Sequence, residues 1–214
     1  MTIKSADLFI FDLDGTIVDS SKTVLKILNL IRRELKIEEI QYKDALPVLS
    51  HGGIEMISKV IGSNFNADYY LDYFRSIYTQ DNLESDKIFD GAVDFINQLI
   101  KKNKKIALCS NKPRDLIYKV LHHHKLHNSF QIIIAGSDVK NKKPNPEGID
   151  KIIVQSFAEK EKTLMIGDSV VDQDAAFNAK IKFIFFEGGY DDGVDKTKIS
   201  LKFNNYRDLL RELE

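Results

Sequence analysis

Asp12 with Asp14, Ser110 with Asn111, Lys143, and Asp168 with Ser169 and Asp172 are spread across most of the sequence, yet each group follows a short apolar run. Carboxylate oxygens are hard ligands of the kind Mg²⁺ prefers, while an ammonium and a hydroxyl suit phosphate oxygens. Brought together, three carboxylates, a lysine and a serine can hold a metal ion beside a phosphoryl group. Only an architecture that collects the ends of distant strands can bring them together.

The apolar runs predict that architecture. Leu8 to Phe11, Ile106 to Cys109, Ile132 to Ala135, Leu164 to Ile166 and Phe183 to Phe186 are brief, rich in β-branched or aromatic residues, and bounded by polar or glycine positions. Each reads as a buried strand. Helical patterns separate the last four: Val93, Ile96, Leu99 and Ile100 recur at helical spacing behind a capping candidate, Asp90-Gly91. Pro113 and Pro146 each stand where a helix can begin. Alternating strand and helix predicts an α/β fold, a Rossmann-like parallel sheet with helices on both faces. All the carboxyl ends then lie along one edge, where open α/β folds bind ligands.

Between the first two strands the rhythm breaks. Val24, Ile27, Leu28, Ile31 and Leu35 define a long amphipathic helix, and helical patterns continue at Ile54–Ile57–Ile61 and Leu71–Phe74–Ile77–Tyr78. A block this long exceeds one crossover helix. It predicts an all-helical cap domain at 18–87, inserted into a core made of 1–17 and 88–214.

On these residues the chain resembles the haloacid dehalogenase-like hydrolases. FDLDGTIVDS resembles the first motif of the family's phosphatases, CSNKP the second, KKPNPEG the third and IGDSVVDQDAA the fourth, in the family's order. The resemblance implies that Asp12 is a nucleophile and Asp14 a general acid and base. It implies that Asp12, Asp168 and the backbone carbonyl of Asp14 surround Mg²⁺. Ser110 and Lys143 would hold the phosphoryl group with Asn111 nearby, and Asp172 would orient Lys143 or a metal-bound water. Such an enzyme splits one difficult displacement into two through an aspartyl-phosphate.

Within the family, the second aspartate, Asp14, favours phosphate esters over haloacids or phosphonates. Val24 stands where sugar phosphomutases carry a histidine. FRSIYTQDNL, FDGAVDFINQLI, CSNKP and FEGGYDDG are similar to the phosphoglycolate phosphatase branch. That branch has a Gly-x-Gly loop in its cap, for which His51-Gly52-Gly53 is a variant expected to meet the substrate. Phosphoglycolate is the first expectation; pyrophosphate or a nucleotide or sugar phosphate is the alternative. From a different class come a phospho-accepting domain, which is normally shorter and lacks a helical insertion, and a silent ligand-binding relative, expected to have lost Asp12 or Lys143. Lys180 stands where relatives have glycine; in a left-handed conformation it would cost about 1 kcal/mol.

Composition narrows the partners. The 214 residues carry a formal net charge of −1, with 43% hydrophobic and 29% charged residues, an ordinary globular balance. Neither nucleic acid nor a membrane is expected as a partner, only a small phosphate ester, with a monomer favoured. One cysteine, Cys109, allows no internal disulfide, and no stretch reads as a signal peptide or a membrane span, so a cytoplasmic location is expected. The histidines at 122–124 point in different directions on a helix and read as a cationic helix end rather than a metal site.

Overall fold

Period-two alternation decides which way each strand faces. In β1 (Leu8–Phe11) all four side chains are buried. Phe9 and Phe11 enter one hydrophobic layer, Leu8 and Ile10 the other. A strand covered on both faces belongs inside a parallel sheet, and there it lies in the computed structural model, which describes residues 3–213. The chain continues through β2 (Val18–Asp19), α1 (Ser21–Glu34), α2 (Tyr42–Leu49), α3 (Gly53–Ile61), α4 (Ala67–Gln80) and β3 (Lys87–Ile88). Then come α5 (Ala92–Lys101), β4 (Lys105–Ser110), α6 (Arg114–His123), β5 (Ile132–Ala135), α7 (Glu147–Ser156) and β6 (Thr163–Gly167). The last elements are α8 (Val170–Ala179), β7 (Lys182–Phe186), β8 (Leu201–Phe203) and α9 (Tyr206–Leu213).

The main sheet has the order β5-β4-β1-β6-β7-β8, with neighbouring strands parallel. Alternation sorts the strands into two layers. Phe9, Phe11, Leu108, Ile166 and Phe186 join the layer under α5, α6 and α9; Leu8, Ile10, Cys109, Met165 and Phe185 join the layer under α7 and α8. Cys109 is a buried apolar filler whose thiol is pushed up to about 12, first by burial.

The four helices between β2 and β3, α1 to α4, leave the sheet and return to it through a ribbon, β2 antiparallel to β3, with Val18 opposite Ile88 and Asp19 opposite Lys87. The far end of α4 is fastened to the sheet-covering helix α6. Lys119 Nζ donates to the carbonyls of Tyr78 at 2.8 Å and Thr79 at 2.6 Å, and also to that of Asp81. These are the orphan acceptors of a helix C-terminus, where a cation is also favoured by the dipole.

Several details depart from the sequence reading. Ile54 is 47% and Ile100 41% exposed. The buried faces of their helices run instead through Met56, Ile57, Val60 and Ile61, and through Ala92, Phe95, Ile96 and Leu99. Asp90 does not cap α5: its carboxylate lies 3.1 Å from Arg207, and Gly91, at φ 78°, supplies the cap position. Lys180 does adopt the left-handed conformation, at φ 62°. His122 and His123 close α6, and the His122 ring stacks on His127 at 4.4 Å.

Candidate active site

The ends of β1, β4 and β6 and the loop after β5 converge on one point. Asp12 follows β1 directly, Ser110 ends β4, and Asp168 follows β6. Lys143 arrives from the loop after β5 because Asn111 brackets its peptide: Asn111 Nδ2 donates to the Lys143 carbonyl and Asn111 Oδ1 accepts from the Lys143 amide, both at 2.9 Å. Asn111, expected beside the phosphate, thus uses both ends of its amide on that lysine. Gly15, at φ 80°, lets the turn after β1 pass against Asp168; a Cβ there would stand 2.2 Å from Asp168 Oδ2.

Asp12, Asp168 and Asp172 each present a carboxylate oxygen within 4.8 Å of the others. Asp168 is 1% exposed and held from two sides, by Thr16 Oγ1 on Oδ1 and the Tyr190 amide on Oδ2, both at 2.8 Å. Asp172 accepts from Lys143 Nζ at 2.6 Å on Oδ1 and from Ser169 Oγ at 2.7 Å on Oδ2. Lys143 Nζ also lies 2.9 Å from Asp12 Oδ1, but without the alignment of a hydrogen bond, so this buried oxygen has no hydrogen-bond partner. Burial lifts the Asp12 carboxyl to about 7; Lys143 opposes that rise, and Asp172 and Asp14 add to it. Asp168 is raised well above the usual carboxylate range by burial, then by Asp172 and Asp12. Lys143 is raised in turn, its burial outweighed by the charges of Asp12 and Asp172.

A divalent cation fits this donor set. Three crowded carboxylates face a single lysine, and Asp12 Oδ1, though paired with Lys143, accepts no hydrogen bond and is a hard donor. The side-chain cluster contains Asp172 where the sequence reading had Asp14, whose expected contribution was its backbone carbonyl. The Asp14 carboxylate turns elsewhere: Ser20 Oγ donates to its Oδ1 at 2.6 Å, and Lys112 Nζ to Oδ1 and Oδ2 at 3.0 and 3.1 Å.

Lys112, Thr16 and Tyr190 were not singled out in the sequence, although each falls inside a quoted motif. Lys112 also lies 4.3 Å from the centre of the Tyr78 ring on α4, so one ammonium links the sheet edge to the helical segment.

A cavity of about 110 Å³ opens over these groups. Its floor includes Asp12, Asp14, Ser110, Lys143 and Asp168, and its roof comes from α1 to α4, with Leu49, Met56, Leu71 and Phe74. Gly52 and Gly53 reach this cavity, at φ 58° and 53°. His51 does not; its ring is drawn to Glu55, 3.1 Å away, and Lys59, 2.9 Å away, beside an adjoining cavity. Ser50, just before it, donates to Asp192 at 2.7 Å, and Asp192 accepts from the Val170 amide at the start of α8 at 2.6 Å.

Carboxylates, a lysine and a serine gathered at the carboxyl edge of a parallel sheet define a hydrolase built for phosphoryl groups. Residues 9–186 match the haloacid dehalogenase-like hydrolase family, and the chain belongs to it. As an enzyme it is a phosphatase. It is 31% identical to a phosphoglycolate phosphatase of Aquifex aeolicus, over 85% of this chain and 84% of that one. It is 30% identical to the pyrophosphatase PpaX of Listeria monocytogenes, over 80% of this chain and 78% of the relative. The fold superposes on a predicted phosphoglycolate phosphatase from Haemophilus somnus with a TM-score of 0.90, at 18% identity, covering 98% of this chain and 99% of the other. No helix among the described residues is long and apolar enough to cross a membrane.

Proposed function

We propose that this chain hydrolyses a small phosphate monoester, phosphoglycolate first, with Mg²⁺ as the metal and Asp12 as the nucleophile. The observation that carries the reading is Asp12 itself, a member of the acidic cluster whose Oδ1 accepts no hydrogen bond and is paired with Lys143 at 2.9 Å. Asp12 and Asp168, with the Asp14 carbonyl, would hold Mg²⁺, which supplies the positive charge that lets a carboxylate approach a phosphate dianion. An Asp12 oxygen forms the new bond to phosphorus as the bond to the ester oxygen breaks. Asp14 gives that oxygen its proton. Water then attacks the phosphoryl-Asp12, Asp14 takes the water's proton, and inorganic phosphate leaves. Lys143, braced by Asp172, and Ser110 hold the phosphoryl oxygens through both steps.

Helices α1 to α4, with their ribbon, form a cap domain at 18–87 over a core of 1–17 and 88–214. In this reading the cap excludes water and selects the leaving group, and Gly52 and Gly53 offer backbone amides to that group. Pyrophosphate is the second reading, favoured by the likeness to PpaX.

Acid-quenched single turnovers should leave one phosphate on the peptide containing Asp12, detected by mass spectrometry, and an excess of EDTA should abolish turnover. A wild-type rate with no phosphorylated peptide at any quench time would remove Asp12 as nucleophile. Undiminished turnover in chelator would remove the metal.

A further inference from the structure

The cations lining the cavity divide into two kinds. Lys143 and Lys112 are committed to carboxylates, to Asp12 and Asp172 in one case and to Asp14 in the other. Arg75, on α4, and Lys142, in the loop after β5, are not. The Lys142 ammonium has no hydrogen bond or ion pair among the described residues, its residue being held only through its carbonyl, which accepts from the Asn145 amide at 2.9 Å. Arg75 has only a long 3.4 Å contact to Asp72, whose side chain is 81% exposed. Both line the main cavity and also the adjoining one, so they mark the passage between the two. The Lys142 ammonium is lowered, first by burial and then by the positive charge of Arg75. Two like charges from separate segments thus line a shared space, and the only carboxylate in contact with either among the described residues is Asp72, one turn back on the helix of Arg75. Asp68 and Asp72 border only the outer cavity, and both are exposed.

The outer cavity contains none of Asp12, Asp14, Ser110, Lys143 and Asp168, which sets the pair toward the end of the main cavity away from the acidic cluster. The wall of the main cavity also carries the apolar side chains of Leu49, Met56, Leu71 and Phe74. A cavity of about 110 Å³ has room for about nine water-sized groups at ~10–15 Å³ each. That is enough for a phosphoryl group and a leaving group of a few heavy atoms.

We propose that Arg75 and Lys142 form a distal anion subsite, so that the preferred leaving group is a short carbon-containing unit with a compact anion at its far end. The inference rests on the phosphatase reading of the same cavity and sharpens it. The phosphoryl group takes the acidic end, the carbon atoms lie against the apolar wall, and the far anion meets the two cations, one from each side of the cleft. The cap and the core then close on the substrate through opposite charges that are incompletely balanced without it. Pyrophosphate has no carbon to place against the apolar wall and fits less well.

The test compares kcat/KM for 2-phosphoglycolate, for its neutral amide and for pyrophosphate, in the wild type and in Arg75→Gln and Lys142→Gln, all with Mg²⁺. The wild type should prefer the carboxylate to the amide by tenfold or more and should turn over pyrophosphate more slowly than phosphoglycolate. Each variant should reduce the carboxylate-to-amide ratio at least fivefold, mainly through KM, and Arg75→Lys should restore part of it. A wild type that does not distinguish carboxylate from amide, or prefers pyrophosphate, would overturn the subsite. Variants that lose both esters equally would do the same. Failure of the phosphatase reading itself looks different: no ester, including a generic aryl phosphate, would be turned over at all.

Discussion

The sheet edge and the helical roof above it are built to different standards of rigidity. At the edge nearly every polar atom is engaged: Asp168 is gripped from both sides, Asp172 accepts from Lys143 and Ser169, and Asn111 brackets Lys143. The roof meets the cavity mainly with apolar side chains, two glycines of positive φ and an arginine with one long contact, and Ser50 ties its loop to Asp192. Chemistry common to many phosphate esters needs fixed geometry, whereas choosing among them needs a surface that can be re-cut. The contrast follows from where each sits: strand ends inherit the stiffness of the sheet, and a segment joined by a short ribbon does not.

If the edge alone carries the chemistry, Asp12→Asn should lower kcat for a generic aryl phosphate by more than about 10⁴-fold, with folding verified by circular dichroism. A loss below tenfold would move the nucleophile elsewhere and end the comparison. Asp172→Asn removes a brace rather than a reactant, and should cost about 10–100-fold in kcat on every ester alike. An effect that depended on the leaving group would mean that Asp172 serves the roof as well.

The next effect lies at the join of the two regions. Asp86, just before β3, is 6% exposed, and burial lifts its carboxyl from 3.8 to about 6; a Thr23 contact opposes the rise and the Asp14 charge adds to it. The native chain therefore keeps a proton that the unfolded chain has released, and stability falls as pH rises from about 4 to 6. Asp86→Asn should be more stable than the wild type by about 1–3 kcal/mol at pH 7 and show no gain at pH 4, by urea titration. An equal change at both pH values would refute that linkage. Lys180→Gly is the smallest change, a gain of about 1 kcal/mol from relieving one left-handed residue far from the roof, with kcat untouched. A lowered kcat would show that the α8–β7 turn feeds back on Asp168.

The sequence made this edge readable because β1, β4 and β6 each run from apolar residues into a polar one, as in LFIFD, IALCS and LMIGD. What stayed hidden was short or shared. A ribbon of two residues per strand has no period to detect, and β8, with the sequence LKF, has little more. The α2 helix carries Pro47 inside it, a residue that normally argues for a break. Lys112 was one lysine among many; its position two residues after Ser110 and just before Pro113 was the available signal. His51 could be found by its place beside two glycines, but not its turn toward Glu55 and Lys59, which depends on the helix it precedes.

Strand order also dictates when the molecule can assemble. The first strand made, β1, lies between β4 and β6, pairing Leu8 with both Lys105 and Thr163. On a ribosome, β1 can pair with neither neighbour until each has emerged, whereas α1 to α4 are complete and mutually in contact much earlier. Closing such long loops slows folding, and local helical contacts do not carry that cost. The roof should thus gain structure first, during synthesis, while an apolar β1 waits for residue 110 to pair on one edge and for residue 167 to pair on the other. That wait is the interval of greatest exposure to aggregation.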